Sequence, residues 1–133
     1  MSKTITQKII FKNAKAAELY SMYLDSREHT KLTGNMQAKI SAEEGAKFSA
    51  HGGYCWGKNL QLVKDKLIVQ SWRASDWKKT DLDSTLILIF EQKKNDALLT
   101  MIHANLPDNQ ATALNDGWNE FYWKPWKKYL AEK

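Results

Sequence analysis

A chain of 133 residues that is 43% hydrophobic and 26% charged has the balance of one globular domain, large enough to bury a core without disulfides, and is not the composition of a disordered chain. No apolar run approaches the roughly 18 residues of a membrane span, and the opening MSKTITQKII carries no secretion-signal pattern, so a cytoplasmic setting is expected, with the single Cys55 kept reduced. The net charge of +5, from 20 basic and 15 acidic residues, is spread along the chain beside no nucleic-acid motif, which predicts a solvated basic surface with neither nucleic acid nor membrane as partner.

Residues 4–11 (TITQKIIF) read as a strand. Asn13 is a candidate N-cap for a helix running to about Leu24, with Ala17, Tyr20 and Leu24 as its apolar stripe. Asp25 followed by Glu28 resembles a capping box for a short second helix, which Gly34 ends. Strands are expected at residues 36–41 and 46–51. Gly52-Gly53 then predicts a tight hairpin turn, because paired glycines accept positive φ, and leads into a strand from Tyr54 to Val63. Lys64-Asp65-Lys66 turns the chain into residues 67–74 (LIVQSWRA), and a polar loop at 75–83 carries Trp77. STLILIFEQ (84–92) and ALLTMIHANL (97–106) pair across Lys94-Asn95-Asp96, and Pro107 ends the sheet.

The last element runs from near Asp108 to about Leu130. Leu114, Trp118, Phe121, Tyr122 and Pro125 recur at helical steps, so this is an amphipathic helix of high aromatic content. Pro125 removes one helical hydrogen bond, which predicts a kink there. The order β, α, α, a run of strands, α specifies an α+β domain with an antiparallel sheet and helices on one face.

Five segments stand out in order: Gly57-Lys58-Asn59-Leu60, then Ile68-Val69-Gln70-Ser71-Trp72-Arg73 with Trp77, then His103 with Leu106-Pro107, then Gly117-Trp118, then Pro125 with Tyr129-Leu130. Together they resemble the activator-of-Hsp-90-ATPase homologue group of the SRPBCC (START-like) superfamily. The resemblance covers nearly the whole chain. It implies the helix-grip (Bet v 1-like) fold, a curved antiparallel sheet around a long C-terminal helix, and a setting in the stress response. The eukaryotic co-chaperone is similar to this chain only in its C-terminal domain. Its separate N-terminal domain, which makes a major contact with the chaperone, has no counterpart expected here.

Strand alternation places Leu99, Met101 and His103 on one face, and Trp72 with Ile68 opposite Arg73, which is expected in a surface ion pair with an acidic residue of the next strand. Residues 84–92 are apolar on both faces; the resemblance implies that Leu86, Leu88 and Phe90 turn inward. Trp72, Leu88, Phe90, Met101, His103, Trp118, Phe121 and Tyr122 are therefore the candidate lining of an apolar cavity for a small hydrophobic or aromatic ligand. The alternative is a protein-interaction module of the co-chaperone kind. It would dock on a chaperone through the exposed part of the helix, with Trp123, Lys124 and Lys127 as candidates. Lys124, Lys127 and Lys128 also complement the helix dipole. A cyclase-like enzyme is a third reading, but no nucleophile–base–orienter set is visible. A hairpin would set His51 opposite Tyr54 and Cys55 opposite Ala50, so Cys55 reads as a structural thiol. Three scattered histidines match no metal spacing, and no cofactor or metal is expected.

Overall fold

The computed structural model describes residues 2–133. The chain forms β1 (Ser2–Phe11), α1 (Ala16–Leu24), α2 (Ser26–Leu32), β2 (Lys47–Ala50), β3 (Cys55–Val63), β4 (Leu67–Ala74), β5 (Ser84–Lys93) and β6 (Asp96–Pro107). It closes with α3 (Ala111–Trp118), one wide turn (Asn119–Trp123) and α4 (Lys124–Glu132). All six strands pair antiparallel in the order β1-β6-β5-β4-β3-β2. The sheet curves around the C-terminal helix, which is the helix-grip arrangement. Ile9, Phe11, Ile68, Trp72, Leu86, Leu88, Phe90, Leu99 and Met101 are buried on its inner face.

Both helices of the first half are capped, one by its own sequence and one from across the fold. Asp25 accepts the Glu28 N–H at 2.9 Å and starts α2 as expected. Asn13, by contrast, is not the cap of α1, which begins at Ala16 after Lys15. The Ala16 N–H instead donates to the Gln92 Oε1 of β5 at 2.8 Å. Asn13 takes a positive φ of 50° and donates its N–H to Asp96 Oδ1, so it stitches the end of β1 to the β5–β6 turn. The buried stripe of α1 is Ala16, Leu19, Tyr20 and Tyr23 with Leu24, and Ala17 faces solvent.

Residues 36–41 are extended but form no strand beyond one bridge, Lys39 to Ser49. Side chains of α2 take the backbone groups that a second ladder would have used. Ser26 Oγ donates to Ile40 O and accepts from Ile40 N, both at 2.8 Å, and Thr30 Oγ1 accepts from Ala38 N at 2.9 Å. Ala38 and Ile40 are buried as a result. The β2–β3 connection turns at Gly52-Gly53, as the paired glycines predict. Ala50 pairs with Cys55, leaving a four-residue loop in which His51, Gly52 and Gly53 all take positive φ. The Tyr54 N–H donates to His51 O at 3.2 Å, so the two residues close the turn over Gly52-Gly53.

One turn of the helix widens just before Pro125. The Lys124 N–H reaches back five residues to Asn119 O. The extra residue in that turn lets Trp118, Tyr122, Trp123 and Trp126 all face the core, while Phe121 swings outward. At the far end the Tyr129 hydroxyl donates to Glu28 Oε2, and Lys133 Nζ lies 3.2 Å from Glu28 Oε1, which ties α4 to α2.

One glycine is required by packing alone. A Cβ at Gly57 would lie 1.8 Å from the Ser71 carbonyl oxygen, where β3 and β4 approach beside a register shift. A Cβ at Gly117 would meet only the Phe121 ring, at 3.6 Å, an ordinary contact. Gly57→Ala is expected to destabilise by about 3 kcal/mol or more through backbone displacement. Gly117→Ala should stabilise by roughly 0.5–1 kcal/mol through helix propensity. Urea unfolding of the two variants checks the pair; equal effects would show that the β3–β4 approach is loose.

Candidate functional site

The space between sheet and helix is where the candidate ligand residues converge. Seven of the eight are there: Trp72, Leu88, Phe90, Met101, His103, Trp118 and Tyr122 are all buried. Phe121 is not, being 62% exposed on the outer side of the wide turn. Helical spacing alone places it inward, and the added residue of the turn overturns that.

The rings interlock. Trp118 lies 4.6 Å from Tyr122, 5.4 Å from Trp123, 5.8 Å from His103 and 6.2 Å from Trp72, centroid to centroid. His103 meets Trp72 edge-on at 4.8 Å. Their polar atoms are also paired. Ser84 Oγ donates to Trp72 O at 2.7 Å, so its only proton is used, and the Nε2–H of His103 must donate to that oxygen across 2.8 Å. His103 Nδ1 then accepts from Trp118 Nε1 at 3.1 Å. Proton accounting thus sets a neutral imidazole with hydrogen on Nε2. Burial agrees, depressing the His103 pKa to about 3. His103 is a hydrogen-bonded structural histidine that orients Trp118.

A second network has no signal in the sequence. His29 Nδ1 lies 2.6 Å from the Tyr23 carbonyl, which only accepts, so the ring donates there. Its Nε2 then accepts from the Tyr122 hydroxyl at 2.8 Å. Burial lowers the His29 pKa to about 4, against the pull of that backbone bond. Tyr122 is raised well above its ordinary value, by burial first and then by Tyr23. His29 sits in the polar stretch SREHTKL, where nothing marks it as buried. Tyr23 of α1 and Tyr122 of the wide turn pack against it.

The remaining candidates divide. Trp123, expected at the surface, is buried and donates from Nε1 to Gln7 Oε1 at 2.7 Å. Lys124 and Lys127 are exposed; the first pairs with Glu120 at 3.2 Å and the second lies over the Phe11 ring at 5.8 Å. Arg73 pairs with Asp83 at 2.8 Å, just before β5, as alternation implies. Cys55 faces Ala50 in the ladder, is fully buried, and its thiol is pushed up to about 12 by burial. The His51 ring packs 4.9 Å from Tyr122 and 6.1 Å from Phe121 and makes no hydrogen bond to Cys55. Among the described residues no group of three or more His, Cys, Asp or Glu gathers to hold a metal.

Open grooves mark the outside. One of about 850 Å³ lies between β1 and the C-terminal helix, beside Gln7 and Trp123. Another, of about 1220 Å³, follows α1 and α2, beside Tyr20 and Leu62. A third, of about 560 Å³, runs along α1 and β5 and touches Phe90. Trp72, Leu88, Met101, His103, Trp118 and Tyr122 wall none of the three.

Residues 13–131 match the family model described as Activator of Hsp90 ATPase homolog 1-like protein. The chain belongs to this family. It is 27% identical over 107 residues to the human Activator of 90 kDa heat shock protein ATPase homolog 1, a match covering 80% of this chain and 31% of that protein. It thus spans about a third of the length of that curated relative. The fold is shared with an HSP90 activator from Plasmodium falciparum, at a TM-score of 0.84 and 24% identity, over 98% of this chain and 96% of that one. It is also shared with a protein from Mesorhizobium loti, at a TM-score of 0.81 and 16% identity, over 98% of each chain. No helix among the described residues is long and apolar enough to cross a membrane.

Truncating the ring at the centre of the grip tests the packing. Trp118→Ala is expected to cost roughly 3–5 kcal/mol in urea melts, the range for a buried large aromatic. A loss below about 1 kcal/mol would mean that the ring is not part of the core.

The two buried histidines also predict a pH dependence. Both have folded pKa values below the unfolded value of about 6.5, so the unfolded chain binds protons first as pH falls. Stability is therefore full above about pH 6.5 and drains as pH falls toward the folded values near 4 and 3. Unfolding midpoints should drop between pH 6.5 and 5, before most carboxylates protonate. The ring signals of His29 and His103 should not titrate over that window while the protein stays folded. A His103 signal titrating near pH 6.5 would show that the ring is solvated.

Proposed function

We propose that this domain is a non-enzymatic docking module that binds a chaperone of the Hsp90 class through its outer surface, in the cytoplasm. The observation that carries this reading is the interlocked ring cluster inside the grip of a domain in this family. The inner residues that would line a small-ligand cavity touch one another; Trp118 bonds His103, His103 bonds Ser84 and Tyr122 bonds His29. Recognition then falls to the outside, where the basic balance favours an acidic protein partner. Relatives named as activators of the 90 kDa heat shock protein ATPase give the partner class.

A small apolar ligand is the competing reading, and it needs those rings to part. Amide chemical shifts recorded on adding a purified Hsp90-class chaperone, and separately a panel of apolar ligands, separate the two. Docking is expected to move exposed residues and to weaken as salt rises, with a screening length of about 8 Å at physiological ionic strength. Shifts confined to Trp72, Met101, His103 and Trp118 on adding the ligands, with no response to the chaperone, would overturn it.

A further inference from the structure

The six strands have two faces, and only the inner one is packed against helices. On the outer face Val69 pairs with Ile87 and Ile87 with Ile102, giving an aliphatic row across β4, β5 and β6. Leu67 pairs with Ile89 in the next row, and Leu98 stands beyond them on β6. All six are half-buried, whereas their neighbours in sequence, Ile68, Leu88 and Met101, are fully buried on the other face. Five strand spacings of about 4.8 Å and roughly eight residues at about 3.3 Å give this face an area near 600 Å². A standard protein interface takes about 800 Å² from each partner, so the face is large enough to be the centre of one.

Around it Glu91 and Asp83 are paired with Lys93 and Arg73, and the charges left without an ion pair include three lysines. Lys47 and Lys58 stand directly opposite each other in the β2–β3 ladder, and Lys8 lies at the other edge on β1. All three are exposed, and none has an ion-pair partner among the described residues. Like charges directly opposite each other destabilise a sheet, and Lys47 and Lys58 stand in that relation. A second copy would add three more lysines to the same interface, which disfavours self-association. An anionic partner removes the repulsion.

We propose that the outer sheet face docks an acidic protein surface with an apolar centre. The Val69–Ile87–Ile102 row takes the apolar part, and Lys8, Lys47 and Lys58 take the acidic rim. This rests on the chaperone-docking reading and assigns that docking to a face of the domain other than the exposed helix.

The test is fluorescence anisotropy of the labelled chain titrated with a purified Hsp90-class chaperone. The variants are Val69→Thr with Ile87→Thr, Lys47→Glu with Lys58→Glu, and Lys124→Glu on the helix. Thr keeps strand propensity, and melting curves confirm that each variant is folded. The first two variants should weaken binding about tenfold or more. The lysine pair should also flatten the salt dependence, and Lys124→Glu should change affinity less than about twofold. Binding by the unmodified chain that both sheet variants retain would overturn the assigned face and leave the docking function standing. No binding by the unmodified chain would overturn the docking function and the partner named here together. A dimer in sedimentation, or flotation with phosphatidylserine vesicles, that the sheet variants abolish while chaperone binding persists would assign the face to a second copy or to lipid and overturn the proposal.

Discussion

Burying tryptophan and tyrosine on one helix brings polar atoms inside with the apolar area, and each buried N–H or O–H left unpaired costs roughly 1–3 kcal/mol. The C-terminal helix meets this demand from three separate elements. Trp118 finds His103 on β6, Tyr122 finds His29 on α2, and Trp123 finds Gln7 on β1. Hydrophobic burial is non-directional and would let the helix slide or roll in the trough of the sheet. Three hydrogen bonds to three elements remove that freedom. They also fix the protonation of both histidines, since each must offer an unprotonated nitrogen to a donor on the helix. Trp126 Nε1 has no hydrogen-bond partner among the described residues, and its indole packs against the rings of Phe11, Tyr23 and Trp123. Its place at the centre of that cluster, fully buried, offsets the missing bond.

The wide turn at Asn119–Trp123 follows from the same demand. Residues 118, 122 and 126 share one helical face, and Trp123 at regular spacing would sit well to the side of Trp118. Widening the turn brings Trp118 and Trp123 into a stack with an interplanar angle of 17°. Pro125 lowers the energy of this arrangement, because a residue without an N–H leaves the ladder incomplete just beyond the turn.

Periodicity and turn chemistry made most strands legible, and the α+β order with them. Alternation oriented β4 and β6, and the family resemblance oriented β5, where both faces are apolar. The misreadings share one physical cause. Local propensity points to Asn13 as a cap and to a strand at 36–41, and in both places distant side chains took the backbone groups. Gln92 caps α1, and Ser26 and Thr30 replace a strand partner. Such contacts span from about eight to more than seventy residues and leave no local pattern. Within the grip, the inward set was legible except at the widened turn, where one added residue exchanged Phe121 for Trp123. The His29 network was not legible at all, because a histidine in a polar helix carries no sign of what will pack over it.

An interior of interlocked rings changes how the outer sheet face is to be understood. Strand propensity explains β-branched residues on either face, since Val, Ile and Thr all suit a pleated surface. It does not explain the choice among them. Thr stands on the outer face at positions 6, 85 and 100, where it satisfies propensity and water together. At 69, 87 and 102 the residues are Val, Ile and Ile, in register across three strands. Thr there would serve the fold equally and water better. Aliphatic side chains in one row, beside lysines that repel one another, raise the energy of the isolated domain on two counts. Both are relieved by the same event, the arrival of a surface that is apolar at its centre and acidic at its edge.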